Sequence, residues 1–340
     1  LARVVQHQLG TGHLARKGWF VPKPKPHASA LTSFTQLGGS MGEKEWRSLS
    51  LYDELTPVHE NVRQFFRRTD GMRCVLIPPA LVELGSTAPD SLPDQGPRHT
   101  ANLAGFLIDA EPVSTTAYAR FLNSTGASPE AEKTWCGVDS DDRRKVHFQL
   151  ERNGKMWRPK PGTERQPIVL VSWFGATAYS LWANRREWKE SAPFLPTEAQ
   201  WEYAARGAKW QLFPWGSDPC MPDRAVVGLH TARAKYSNLL PLADVSAELG
   251  LSPFGLRHMA GNVWNWCRDW YAPDFYRNPE ATGHNPEQPK NTGIRSERGG
   301  SWIGPGALAA SSYRRGRPPH ARGRCLGFRC IGHPPDMARR

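Results

Sequence analysis

Cysteine, histidine and arginine are the side chains through which this chain could do chemistry, and their spacing decides which kind. There are six cysteines: Cys74, Cys136, Cys220, Cys267, Cys325 and Cys330. A local thiolate pair for zinc is usually spaced C-x-x-C, and no such pair occurs. Six in 340 residues is also too few for a disulfide-built scaffold, so the thiols read as buried and reduced. His7, His13, His27 and His59 lack a helical metal-ligand spacing and read as surface or packing histidines. No Ser-His-Asp order, P-loop or G-x-G-x-x-G fingerprint is present. What remains is Arg298–Arg329, a segment rich in arginine around Tyr313 and without an acidic residue. Guanidinium forks bind carboxylates and phosphates, and tyrosine supplies rigid contact area. That chemistry is recognition of an acidic protein surface or another polyanion. It is not catalysis.

The elements that must position this segment are short. MRCVLIPPALVELGS reads as two strands from Met72, and AGFLIDAEPVS as a third leading into a helix. Ser114 is a plausible N-cap, Tyr118, Phe121 and Leu122 share a face, and Gly126 stops that helix. Ser172 caps a second helix with Phe174, Ala178, Leu181 and Trp182 on its apolar stripe. In FLPTEAQWEYAARGA, Thr197 and Gln200 form a capping box, Trp201, Ala204 and Ala205 face inward, and Gly207 ends the helix. Helical patterns also appear at Glu43–Leu51 and Pro57–Arg67. Downstream of residue 208, turn glycines alternate with aromatic strands and no long helix follows.

Three motifs, LPTEAQWEYAARG, FGLRHMAGNVWNWCRDWY and RGGSW with GFRC, resemble the formylglycine-generating-enzyme (sulfatase-modifying factor) family over about residues 72 to 332. The resemblance implies an α+β, C-type-lectin-like fold rich in irregular loops, over 72–335. Residues 1–71 would be a packing arm with a Pro-rich spacer. Active members use two cysteines after the GGS[YW] turn to hold copper, because soft sulfur ligands select Cu(I). Those positions are Gly304 and Ala309 here, so no enzyme activity is expected. The sulfoxide-synthase branch places its iron with a helical bundle that 70 residues are too short to build. The resemblance also implies two calcium sites: one at Gly261, Val263 and Asn265, the other starting at Asn238 and Leu239. Both have lost carboxylates that a hard cation needs, so no cofactor is expected beyond a residual chance of Ca²⁺.

From Ile303 to Asp336 there is no Lys, Glu, Gln, Met or Trp, types that make up about one residue in five before that point. None of the five has a codon ending in NNC, the set reached by randomising both adenines of AAC. That gap, inside the RGGSW…GFR frame, resembles the variable proteins of diversity-generating retroelements. The resemblance implies a variable region over 303–325. Its diversified positions would be Ile303, Gly304, Pro305, Leu308, Tyr313, Arg315, Gly316, Arg317, Gly323, Arg324 and Cys325. Gly306, Ser312, His320 and Ala321 are secondary candidates. Trp302, Arg314, Pro319, Arg322, Phe328 and Arg329 would be the fixed frame. The chain then reads as a non-catalytic binding protein for varied, chiefly protein, targets. The alternative is an active or degenerate enzyme relative.

Bulk composition sets the remaining expectations. Pro 30, Gly 31 and Trp 14 indicate a loop-rich domain anchored by aromatics. The net charge of +12 is scattered and accompanies no nucleic-acid motif, so nucleic acid is not the expected partner. No apolar run is long enough to span a membrane and no signal peptide is visible, which favours a cytoplasmic monomer. The chain starts at Leu1 rather than Met, so a leader stays open. Richness in arginine and proline is read as a thermophilic bacterial trait.

Overall fold

A computed structural model describes residues 50–55, 62–137, 148–187, 192–228 and 242–335. The calcium candidates Asn238 and Leu239, the four N-terminal histidines and nearly all of Glu43–Leu51 lie outside the described residues.

The larger sheet has five strands: β1 (Tyr52–Leu55), β2 (Gln64–Arg67), β3 (Met72–Ile77), β6 (Phe106–Asp109) and β13 (Ile331–Gly332), adjacent in that order and antiparallel throughout. The pair β4 (Ala80–Leu84) and β5 (His99–Leu103) forms a hairpin ladder between β3 and β6 in sequence. A second pair, β7 (Leu150–Asn153) and β8 (Met156–Pro159), follows the first helices. A four-stranded sheet carries the candidate face: β11 (Arg315–Arg317), β10 (Arg295–Arg298), β9 (Trp264–Trp270) and β12 (Leu326–Gly327), in that order.

The helical pattern read at Pro57–Arg67 does not hold at its C-terminal end, where Gln64–Arg67 is β2; residues 57–61 lie outside the described residues. Pairing explains the difference. Phe65 opposes Cys74 and Arg67 opposes Met72, so Phe65 and Arg67 are buried on one side while Phe66 points out. A two-residue period won over local helical spacing. Because β1 and β2 extend the sheet, it begins well before residue 72.

Four α-helices occur among the described residues: α1 (Thr115–Thr125), α2 (Pro129–Trp135), α3 (Trp173–Ala183) and α4 (Glu198–Arg206). Their caps follow the sequence. Ser114 accepts from the Ala117 N–H, Ser172 from the Gly175 N–H, and Thr197 and Gln200 close a reciprocal capping box. Gly126 takes the left-handed conformation that ends α1. One apolar cluster joins α1 and α3 to Trp264, Trp266, Trp302 and Phe328; another joins β3 and β6 to α4. The C-terminal segment is therefore stitched into the main core at both ends.

Candidate ligand-binding face

The face is built outward from two fixed ends. After β10 the chain turns through Gly299 and Gly300, at φ of 97° and 70°. A Cβ at Gly299 would lie 2.9 Å from the Trp201 ring, and one at Gly300 would lie 2.9 Å from the Ala309 Cα. Only glycine fits both the conformation and the space. This turn delivers Trp302 into the core, fully buried, where its backbone N–H donates to the Asn262 carbonyl (3.0 Å) and its Nε1 to the Arg324 carbonyl (3.2 Å). At the other end Phe328 is buried edge-on against Tyr118 and Tyr179, with centroids 6.1 and 5.3 Å away.

Buried arginines hold the frame between these ends. Arg314 donates through Nε to Glu198 (2.6 Å) and through Nη1 to the Asp94 carbonyl (2.7 Å). Arg298 meets Glu198 (2.9 Å) and Glu202 (2.6 Å), and Arg206 also pairs with Glu202. Burial by itself would raise the carboxyl of Glu202, but Arg206 and Arg298 outweigh it and hold the group at about 2. Arg329 donates to Asn265 Oδ1 and to the carbonyls of Asp109, Arg257 and His258. Arg322 reaches the carbonyls of Lys133 and Cys136. Glu198 and Glu202 are the partners that sequence reasoning missed. Their i, i+4 spacing on the TEAQWE helix was the available signal.

None of the eleven candidate positions is buried, whereas Trp302, Arg314, Phe328 and Arg329 all are. Tyr313, Arg315, Arg317, Gly323 and Cys325 come together. The Tyr313 ring lies 5.9 Å from Trp264, and the Arg315 guanidinium lies over the same ring at 5.3 Å. A Cβ on Gly323 would be 3.8 Å from Arg317 Nη1 and 4.0 Å from Cys325 Sγ. Arg324 lies over Trp302 at 5.5 Å. Ile303, Leu308, Tyr313 and Cys325 pack, half-buried, against the core cluster that contains both tryptophans. Gly304 is on the adjoining loop, where its carbonyl accepts from the Gly228 N–H (2.7 Å), and Pro305 beside it is exposed.

Two expectations need correction. Gly316 is not free to vary: a Cβ there would come within 2.6 Å of Tyr271 Cδ1, and that ring is tethered by its hydroxyl donating to Asp94 (2.6 Å). At Gly304, by contrast, a Cβ meets only the tip of the Leu308 side chain, which can move. Secondly, the arginines are not uncommitted. Arg317 grips Glu297 bidentately (2.8 and 3.1 Å), and Arg315 pairs with the same buried carboxylate at 3.0 Å. Glu297 lies just outside the acid-free window read from the sequence, and strand register supplies it: Glu297 opposes Arg315.

Metal and thiol chemistry finds poor material here. Gly304 and Ala309 carry no donor side chain, and Ala309 is fully buried. Burial, with Glu297 nearby, pushes the Cys325 thiol up, away from a reactive thiolate. Cys74, Cys220, Cys267, Cys325 and Cys330 are free thiols. The calcium candidates Gly261, Val263 and Asn265 do not suit a cation. Asn265 Oδ1 already accepts from the Arg329 guanidinium (2.8 Å) and Trp201 Nε1 (3.2 Å), and its amide donates to the Val263 carbonyl (3.0 Å). A guanidinium already fills the cationic role at that oxygen. Among the described residues, no group of three or more His, Cys, Asp or Glu side chains is placed to hold a metal ion.

The sulfatase-modifying factor enzyme 1-like domain family matches residues 60–334. The chain belongs to this family. A formylglycine-generating enzyme of Thermomonospora curvata is 31% identical over 301 residues, covering 76% of this chain and 93% of that protein. A serine/threonine-protein kinase pkn1 of Chlamydia caviae is 31% identical over 238 residues, covering 70% of this chain; the chain spans only 34% of that relative's length. Among solved structures, PvdO of Pseudomonas aeruginosa matches with a TM-score of 0.60 at 23% identity, covering 80% of this chain and 98% of that one. Treponema denticola variable protein 1 matches with a TM-score of 0.56 at 20% identity, covering 82% of this chain and all of that one. The fold is thus the α+β fold of the formylglycine-generating-enzyme type. No helix among the described residues is long and apolar enough to cross a membrane.

Proposed function

We propose that this family member is a non-catalytic binding protein whose C-terminal face, over 303–325, is diversified by a retroelement and takes protein ligands. The observation that carries the reading is the partition of side chains along the segment. The eleven main candidate positions are exposed or half-buried, while four of the six residues that would have to stay constant, Trp302, Arg314, Phe328 and Arg329, are buried; Pro319 and Arg322 are half-buried, and the buried Ser312 drops out of the secondary candidates. Random replacement at such positions leaves the tryptophan core and the buried arginines intact. The missing sulfur ligands at Gly304 and Ala309 support the non-catalytic part, and so does the fold likeness to a variable protein. Gly316 is withdrawn from the diversified set.

Two experiments test it. A library randomised at Ile303, Pro305, Leu308, Tyr313 and Arg324 and displayed on cells should yield binders to an arbitrary folded protein, with melting temperatures near that of the parent. A library that mostly unfolds, or never yields a binder, contradicts the reading. Incubation with a cysteine-containing sulfatase peptide and Cu(I) should leave the cysteine unchanged by mass spectrometry. Formylglycine above a no-enzyme control would instead favour the degenerate-enzyme alternative.

A further inference from the structure

Resting on the reading of 303–325 as the binding face, we propose that Glu297 sets the ligand class of this copy, turning an arginine-rich surface into one suited to a protein with an uncharged contact surface. Glu297 is fully buried beneath β11, outside the variable segment. Both of its carboxylate oxygens are engaged: Oε2 and Oε1 by Arg317, and Oε1 again by Arg315. One buried negative charge thus faces two guanidinium groups. Arg317 spends its Nε and Nη2 on this carboxylate, and Arg315, which spends its Nε, is additionally laid over the Trp264 ring. A polyanion would have to compete with a carboxylate that is already desolvated and bidentate, which is the strong form of this contact.

Other charges near the face do not restore a cationic patch. Arg298 and Arg314 are buried and held by Glu198 and Glu202. Arg322 is turned to the carbonyls of Lys133 and Cys136. Arg324 has no acidic partner within reach among the described residues and lies over Trp302. The rest of the face is Ile303, Leu308, Tyr313 and Cys325, packed on the tryptophan cluster. An apolar and aromatic centre flanked by Arg324 and by an Arg315–Glu297–Arg317 cluster that is half neutralised is the composition of a protein-binding patch, where charge is depleted at the core. It is a poor surface for a sulfated or phosphorylated polymer.

Heparin chromatography of the full chain reads this charge allocation directly, with near-UV circular dichroism to confirm folding. Arg324→Ala should elute at clearly lower salt than the parent, and Arg315→Ala should shift by a smaller step. Glu297→Gln should elute later, because it frees two guanidinium groups at once. Equal losses from Arg315→Ala and Arg324→Ala would overturn the proposal, as would a folded Glu297→Gln that elutes with the parent. Should Glu297→Gln not fold, the Arg315→Ala and Arg324→Ala comparison decides by itself. The elution order does not depend on a ligand having been found, so its failure is distinct from failure of the display library.

Discussion

Trp302 is the residue on which the C-terminal segment turns. Its indole is fully buried and its Nε1 caps the Arg324 carbonyl, so truncation removes both a large volume and a hydrogen bond. Trp302→Ala should lower unfolding stability by roughly 3–5 kcal/mol in a denaturant titration. Pro305→Ala should change it by no more than about 0.5 kcal/mol, since Pro305 is exposed, and Arg324→Ala by no more than about 1 kcal/mol, since Arg324 is half-buried over Trp302 without an ion pair among the described residues. The arginine pair behaves differently from an ordinary exposed pair. Replacing Arg315 and Arg317 together by Ala strands a buried Glu297, which should cost about 3 kcal/mol by the same titration. A loss below 1 kcal/mol for the double variant would mean that Glu297 is solvated and not buried.

At the scale of elements, helix ends were legible and strand partners were not. Ser114, Ser172 and the Thr197–Gln200 box are local signals, and each sits where its side chain satisfies an orphan N–H. β2 was misread because its burial comes from pairing with β3, which local spacing does not record. Short α2 went unread although Ser128 and Pro129 form an ordinary N-cap and first-turn pair. The same blindness hid the Glu297 contact, which strand register creates. α4 carries the clearest pH dependence. Glu202 is held at about 2 in the folded state against an ordinary value near 4.5. A depressed carboxylate contributes stability that is complete above its unfolded pKa and disappears as pH falls through its folded one. The stability contributed by Glu202 should therefore hold down to about pH 5 and disappear between pH 4.5 and 2, a loss of about 3 kcal/mol that a melting series should show as a steep acid limb. Glu202→Gln should flatten that fall; an unchanged acid limb would remove Glu202 from the account.

Across the whole molecule, large side chains are concentrated in the interior beneath the C-terminal segment. Among the described residues, four fully buried tryptophans (Trp201, Trp264, Trp266 and Trp302) and five fully buried arginines (Arg67, Arg206, Arg298, Arg314 and Arg329) are the largest interior side chains. Such a core carries most of the stability, with the Arg315–Glu297–Arg317 cluster as the part of the face that adds to it. The family frame was readable from RGGSW and GFR, because turn glycines and buried aromatics leave a sequence trace. Which half-buried positions can truly vary was not readable. Gly316 looks like Gly304 in sequence and differs only in having Tyr271 across from it.

The most direct measurement of the central claim is deep sequencing of this gene's 3′ end across a population of cells, beside any matching template copy. Diversification of the face would show as substitutions at template adenines, concentrated in the codons for Ile303, Pro305, Leu308, Tyr313, Arg315, Arg317, Arg324 and Cys325, with Trp302, Arg314, Gly316 and Phe328 constant. Variation spread evenly along the gene, or a 3′ end with no adenine bias, would contradict it.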